Sequence, residues 1–270
     1  MGIATIIGII VAFGALILGF LLEHGDIMSL FILSPAVIVI GGTFGVLFIA
    51  FSIQDIAKVP ALIGRAMSNP KVDLQGTMDT IIDIAVQVKK SGMLILDQMV
   101  RDPDFIKKND PLMVKGLTLL MDKLDKEELR EILENDLRVE EQIKKREVSI
   151  FESAGGFSPT LGIIGTVLGL IQVLANMGTP DELAKSIAVA FVATLYGVVF
   201  ANLVYLPIAN KLTLRIKIER VTKEMIIDGV MAINDFESPI AIRERLNSYL
   251  KFGGKKGKAA AAKEAGASGE

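Results

Sequence analysis

Four stretches of this chain hold no charged or histidine side chain and are each long enough to cross a bilayer: Met1–Leu22, Ile27–Gln54, Ser153–Pro180 and Ser186–Asn210. A helix of about 20 apolar residues spans the roughly 30 Å of hydrocarbon. In lipid, every backbone N–H and C=O has to find its partner within the segment, so uncharged runs of this length fold as helices. The expected fold class is all-α: a polytopic membrane protein with four transmembrane helices and a helical cytoplasmic domain. The same emptiness constrains function. If an ion crosses the membrane here, the ionisable group that carries it comes from another chain.

Composition excludes several function classes. Hydrophobic residues make up 51% of the chain, and the mean hydropathy of +0.51 follows from the four spans. A net charge of −2 points away from a nucleic-acid partner. Cysteine is absent, which removes disulfides and thiolate zinc sites, and the single histidine, His24, cannot build a metal cluster alone. No phosphate-binding loop, metalloprotease box or nucleophile elbow is present, so a non-enzyme without cofactor is expected. The first span has no basic region before it and is full length, which reads as a retained anchor rather than a cleaved signal.

Lys and Arg set the expected orientation. Of the 29, 16 fall between residues 52 and 150, one is Lys185 and 12 follow residue 210. The middle segment and both termini are therefore expected on the cytoplasmic side, with the two short turns outside. At the second turn, Thr179 is expected to cap a helix that starts at Pro180, with Glu182 completing a capping box. The chain then divides into a hairpin of two spans (1–52), a cytoplasmic helical domain (53–150), a second hairpin (151–210), a helical extension (211–252) and a disordered tail (253–270). The tail is low-complexity Gly, Lys and Ala, with lysines suited to anionic lipid.

In the middle segment, Ile81, Ile84, Ala85 and Val88 share one helical face, as do Leu117, Leu120, Met121 and Leu124. Pro60, Asn69-Pro70, Asp102-Pro103 and Asp110-Pro111 cut the run into short helices. The stretch Lys126–Glu152 carries no Pro or Gly and is expected to form one helix running into span three. Span four should run on through Lys211–Glu224, and the two extensions should pair antiparallel.

The spans carry small and polar residues in register. Gly8, Ala12, Ala15 and Gly19 give span one a smooth face, and span two holds Gly41-Gly42-Thr43. On span three, Gly162, Thr166, Gly169, Val173 and Asn176 share a face, with Gly165 and Gly169 in a GxxxG. On span four, Ala190, Thr194, Gly197 and Ala201 do the same. These faces suit close packing, including against a helix of another protein. Their hydroxyls and any freed carbonyls equally suit a desolvating cation, and both readings of Thr166 and Thr194 stand. Pro207 removes a helix bond to Leu203 and predicts a kink. Pro159 begins span three, and the two prolines are expected at one membrane depth, as hinges.

The GGT of span two, SPTLGIIGTVLGLI of span three, VATLYGVVFANLVYLPIANKL of span four and the helical insertion at 52–150 together resemble the MotA/PomA family, the membrane subunits of bacterial flagellar stators. The resemblance covers about residues 1–245. It implies residence in the bacterial inner membrane and a MotB/PomB-type partner with one transmembrane helix, an essential Asp and a peptidoglycan-binding domain. It also implies a homopentamer around two partner helices, with H+ or Na+ flow turning the ring against the rotor protein FliG. Carried onto this sequence, the rotor contact falls on Lys89, with Lys90 as a possible shift, and on Asp97. The ion pathway falls on Thr166 and Thr194, which lean toward Na+, and the family's span-three and span-four prolines match Pro159 and Pro207. The ExbB/TolQ energy transducers resemble span three but have three spans and lack the GGT hairpin. A passive four-helix scaffold would not need the polar faces.

Overall fold

A computed structural model describes residues 3–68, 73–122, 124–175 and 180–251. Thr179, Asn176, Asn69-Pro70 and the tail 253–270, all singled out above, lie outside the described residues. The described chain is helical throughout and divides into two units. One comprises Met1–Asn69 with Lys145–Leu214, the other Pro70–Lys144 with Arg215–Glu270.

The first unit is apolar. Helix α1 (Ile3–Leu22) is twenty residues without a charge. A short 3-10 turn (Ile27–Leu30) follows, capped by Asp26, whose carboxylate accepts the Met28 N–H at 3.0 Å. Span two is built from α2 (Leu33–Ala36), a widened π turn (Val37–Gly41) and α3 (Gly42–Ala50). Helices α4 (Ile53–Ile56) and α5 (Val59–Met67) come next. They are tied by Asp55 to Arg146 at 2.8 Å, and by Lys58 and Arg65 to Glu147 at 3.4 and 3.5 Å. Gly8 and Gly19 of α1 face open space among the described residues. Ile27–Ala50, Lys126–Ala175 and Ser186–Asn234 are long and apolar enough to cross a membrane, and Ile7–Leu22 within α1 is a shorter apolar helix. The whole is consistent with four spans.

The second unit has its own core. It contains α6 (Leu74–Ser91), α7 (Ile95–Arg101), α8 (Pro103–Lys108), α9 (Pro111–Met121) and α13 (Pro239–Leu250). Parts of two long helices complete it, α10 (Lys126–Ala175) and α12 (Leu206–Asn234). The expected Asp-Pro breaks are helix starts. Asp102 and Asp110 cap with their carboxylates, and Pro103 and Pro111 take first-turn positions, where the missing N–H costs nothing. Ile81, Ile84, Ala85 and Val88 are all buried, as are Leu117 and Leu120, with Met121 and Leu124 half-buried against them. Gly229 of α12 lies so close to Ile81 that a Cβ there would fall 2.7 Å from its side chain.

Helix α10 is continuous over 50 residues, about 75 Å at 1.5 Å per residue. Within the second unit it pairs antiparallel with α12 through a ladder of charges. Lys144 reaches Glu140 and Glu219, each at 2.6 Å, Lys223 bonds Glu140, Arg130 reaches Asp228 at 3.1 Å, and Lys126 reaches Asp235 at 2.6 Å. Burial pushes the Glu140 carboxyl up, but the ammonium groups of Lys144 and Lys223 outweigh it and hold it below its ordinary value. Lys144 is pushed down by burial and carried above its ordinary value by Glu140 and Glu219.

Candidate functional site: the seam between spans three and four

Span four consists of α11 (Pro180–Val199), a π turn (Phe200–Tyr205) and the start of α12. The helix begins at Pro180, the expected first position. The small residues of α10 and α11 let the two backbones touch. A Cβ on Gly197 would lie 2.6 Å from the Ser158 carbonyl oxygen, and one on Gly162 would lie 2.8 Å from that of Ala193. Gly165 and Gly169 press in the same way on Ala193 and Ala190. The two small-residue faces are therefore closed on each other within one chain, and a helix from another protein does not lie in that groove. Their pattern was legible from sequence, but a helical wheel does not say which neighbour a face meets.

At this seam the two threonine hydroxyls lie 2.6 Å apart. The Thr166 hydroxyl is also within hydrogen-bond distance of the Ala190 and Gly162 carbonyls, at 2.9 and 3.1 Å, and that of Thr194 lies 3.4 Å from the Gly162 carbonyl. Both residues are half-buried. Four oxygens thus converge between the helices, in a region with no charged side chain. Further inward, the fully buried Ser158 donates to the Gly197 carbonyl at 3.0 Å. The role of Ser158 depends on the antiparallel register, which the sequence alone does not give.

Span two packs behind this seam. Leu161 of α10 fills the space before Gly42, Ile38 reaches Gly165, and the buried Thr43 donates to its own Val39 carbonyl at 2.6 Å. The GGT run is thus a packing surface. Tyr196, which sequence reading missed, donates its hydroxyl to the Leu30 carbonyl and accepts the Ile32 N–H at 3.3 Å, pinning the turn before span two. Its signal was an aromatic hydroxyl within an uncharged span.

The two prolines differ. Pro159 sits inside α10 without ending it, and its Cα would lie 3.1 Å from a Cβ on Gly197. Leu206, the neighbour of Pro207, packs its side chain on Gly155, four residues before Pro159 on α10. The kink expected at Pro207 takes the form of the π turn just before it, where the Leu206 N–H bonds the Ala201 carbonyl.

In the second unit, Lys89 lies exposed in the last turn of α6 and Asp97 in the first turn of α7. Between them Gly92, at φ +75°, turns the chain, a conformation that disfavours any residue with a Cβ. Leu94 protrudes from this corner, 85% exposed. Asp97 accepts a bond from Arg101 at 2.9 Å, while Lys89 and Lys90 form no ion pair among the described residues.

Comparison with known proteins agrees with this architecture. Residues 106–225 match the model of the MotA/TolQ/ExbB proton channel family, and residues 6–92 match that of the motility protein A N-terminal region. The chain is 31% identical to chemotaxis protein PomA of Vibrio alginolyticus over 94% of its own length and 97% of the relative. It is 32% identical to motility protein A of Bacillus subtilis, over 91% and 90% of the two chains. Its fold is similar to a chain of the flagellar MotAB stator complex from Bacillus subtilis, with a TM-score of 0.81 and 32% identity, covering 89% of this chain and 93% of that one. It is also similar in fold to C. jejuni MotAB, with a TM-score of 0.84 and 22% identity, over 92% and 96%. With helices long and apolar enough to cross a membrane, a charged helical insertion and a relative matched over nearly its whole length, the chain belongs to the MotA/PomA family of flagellar stator subunits.

Proposed function

We propose that the chain assembles with a MotB/PomB-type single-span, peptidoglycan-binding subunit into the ion channel of a flagellar stator, converting ion flow into rotation. The observation that carries this is the absence of any Asp, Glu, Lys, Arg or His from the spans, beside a converged set of oxygens at Thr166 and Thr194. The partner's carboxylate supplies the missing group. Several copies of this chain, five by family resemblance, surround the partner helices in the cytoplasmic membrane. Both termini lie on the cytoplasmic side, as the distribution of Lys and Arg supports. Lys89 and Asp97 engage the rotor protein FliG, and Leu94 stands at the same corner. Between H+ and Na+, the hydroxyl pair favours Na+, because a metal cation has to replace lost waters with oxygen ligands. Lipid contacts the exposed apolar faces of α1 and span two.

The test is expression with such a partner in a motile host lacking its own stator, followed by co-purification and tethered-cell rotation. Rotation with a peptidoglycan-binding partner bound is expected. Co-purification with a TonB- or TolA-type complex instead would move the chain to envelope energy transduction.

A further inference from the structure

At 100° per residue, the positions of α10 and α11 that face away from span two can be read directly. On α10 they run Leu174, Leu170, Val167, Ile163, Thr160 and Gly156. On α11 and the π turn they run Phe191, Leu195, Val198 and Asn202. All of these are exposed. Both lines are apolar at the outer end and turn polar at the inner end, toward the charged extensions. Asn202 is a buried-type polar residue on a surface that would otherwise be greasy, and an amide facing hydrocarbon is strongly disfavoured.

The local backbone adds a second oxygen. The Asn202 side-chain NH2 donates to the Val198 carbonyl at 2.9 Å, which turns the amide oxygen away from the helix. The Leu206 N–H goes to the Ala201 carbonyl, and Pro207 has no N–H to give. The helix donors four and five residues ahead therefore do not reach the Asn202 carbonyl. One residue thus presents two oxygens, beside a widened turn of the kind that recurs at functional sites. Gly156, next to the Gly155 on which Leu206 packs, leaves open space in front. From the Thr166–Thr194 pair inward, oxygen is met next at Thr160 and then at Asn202, in steps of roughly 6–9 Å.

We propose that Asn202 is the innermost oxygen station of the ion route, where a partly desolvated monovalent cation is held before release on the charged side. This rests on the stator reading above. The experiment is motor speed of the full complex against external Na+ at fixed pH, and against pH at fixed Na+, for wild type, Asn202→Leu, Asn202→Ala and Asn202→Thr, with co-purification of partner and copies for each. The expected result is a fall of about fivefold or more in speed or in apparent ion affinity for the Leu and Ala variants in intact complexes, with the oxygen-bearing Thr variant rescuing most of it. The arm that responds, Na+ or pH, identifies the cation. Wild-type curves for Leu and Ala would overturn the proposal. So would loss of copies from the complex in both variants, which would make Asn202 a bond between subunits. A wild-type complex that assembles with its partner but never rotates would instead overturn the stator reading, and this proposal with it.

Discussion

Thr166 has three oxygens within hydrogen-bond reach, and that crowding decides what its loss should do. Its hydroxyl can donate only one proton, so the carbonyls of Ala190 and Gly162 and the Thr194 hydroxyl compete for it or share a cation. Removing a bonded polar group from a dry site costs about 1–3 kcal/mol, which corresponds to roughly 5- to 150-fold in affinity. Thr166→Ala is therefore expected to raise the Na+ concentration needed for rotation by a factor in that range, read as motor speed against external Na+ at fixed membrane potential and pH, with assembly intact. If wild-type speed ignores Na+ and follows pH, the hydroxyls act in packing. Gly197 gives a contrasting case. Any Cβ there meets the backbone oxygen of Ser158, which cannot swing aside, and overpacking costs about 1–3 kcal/mol. Gly197→Ala should lower the thermal stability of the detergent-solubilised protein and its accumulation in the membrane, with or without the partner.

Among the elements, the paired extensions of α10 and α12 depend on pH in a definite direction. Glu140 titrates below its ordinary 4.5 in the folded chain, so its contribution is present above that value and is lost as pH falls through the folded pKa. Lys144 titrates above its ordinary 10.5, so its contribution is complete below that value and is lost as pH rises through the folded pKa. Melting temperature against pH should therefore be flat across neutrality and drop at both ends. In Glu140→Gln the acid-side drop should shrink, and an unchanged acid limb would show that other carboxylates dominate. That these extensions pair was legible in their charge spacing. The π turn was not: Pro207 announces a lost bond, but whether the helix bends or widens depends on the packing around it.

For the whole molecule, the uncharged spans imply that the chain by itself passes no ions. Reconstituted alone in liposomes, it should give no Na+ or proton flux above empty vesicles, and robust flux would show a carrier within this chain. Reversing Lys89 to Glu or Asp97 to Lys should weaken stall torque while leaving membrane accumulation intact, since Lys89 is exposed, Asp97 is half-buried and neither belongs to the core. Failure to accumulate would assign them a structural role instead. The fold was legible from sequence because apolar length and heptad-like spacing are local properties. The cores of α6 and α9 fell on the residues that share a face. The site was legible as a set of residues but not as a set of directions. The Gly-Thr faces turn toward each other, and the surfaces that face away from span two carry Ile163, Val167, Phe191 and Leu195.

The backbone contact at Gly162 and Gly197 has a thermal consequence. In lipid there is no release of water to press two helices together, so this seam draws on dispersion and on the Ser158 and Thr166 bonds. The core around Met78, Ile81 and Met225 instead excludes water, and that driving force fades on cooling and brings a large heat capacity of unfolding. The two units therefore respond differently to cold. Chilling weakens the water-excluding core beneath the Gly92 corner first, while the glycine seam between α10 and α11 keeps its grip.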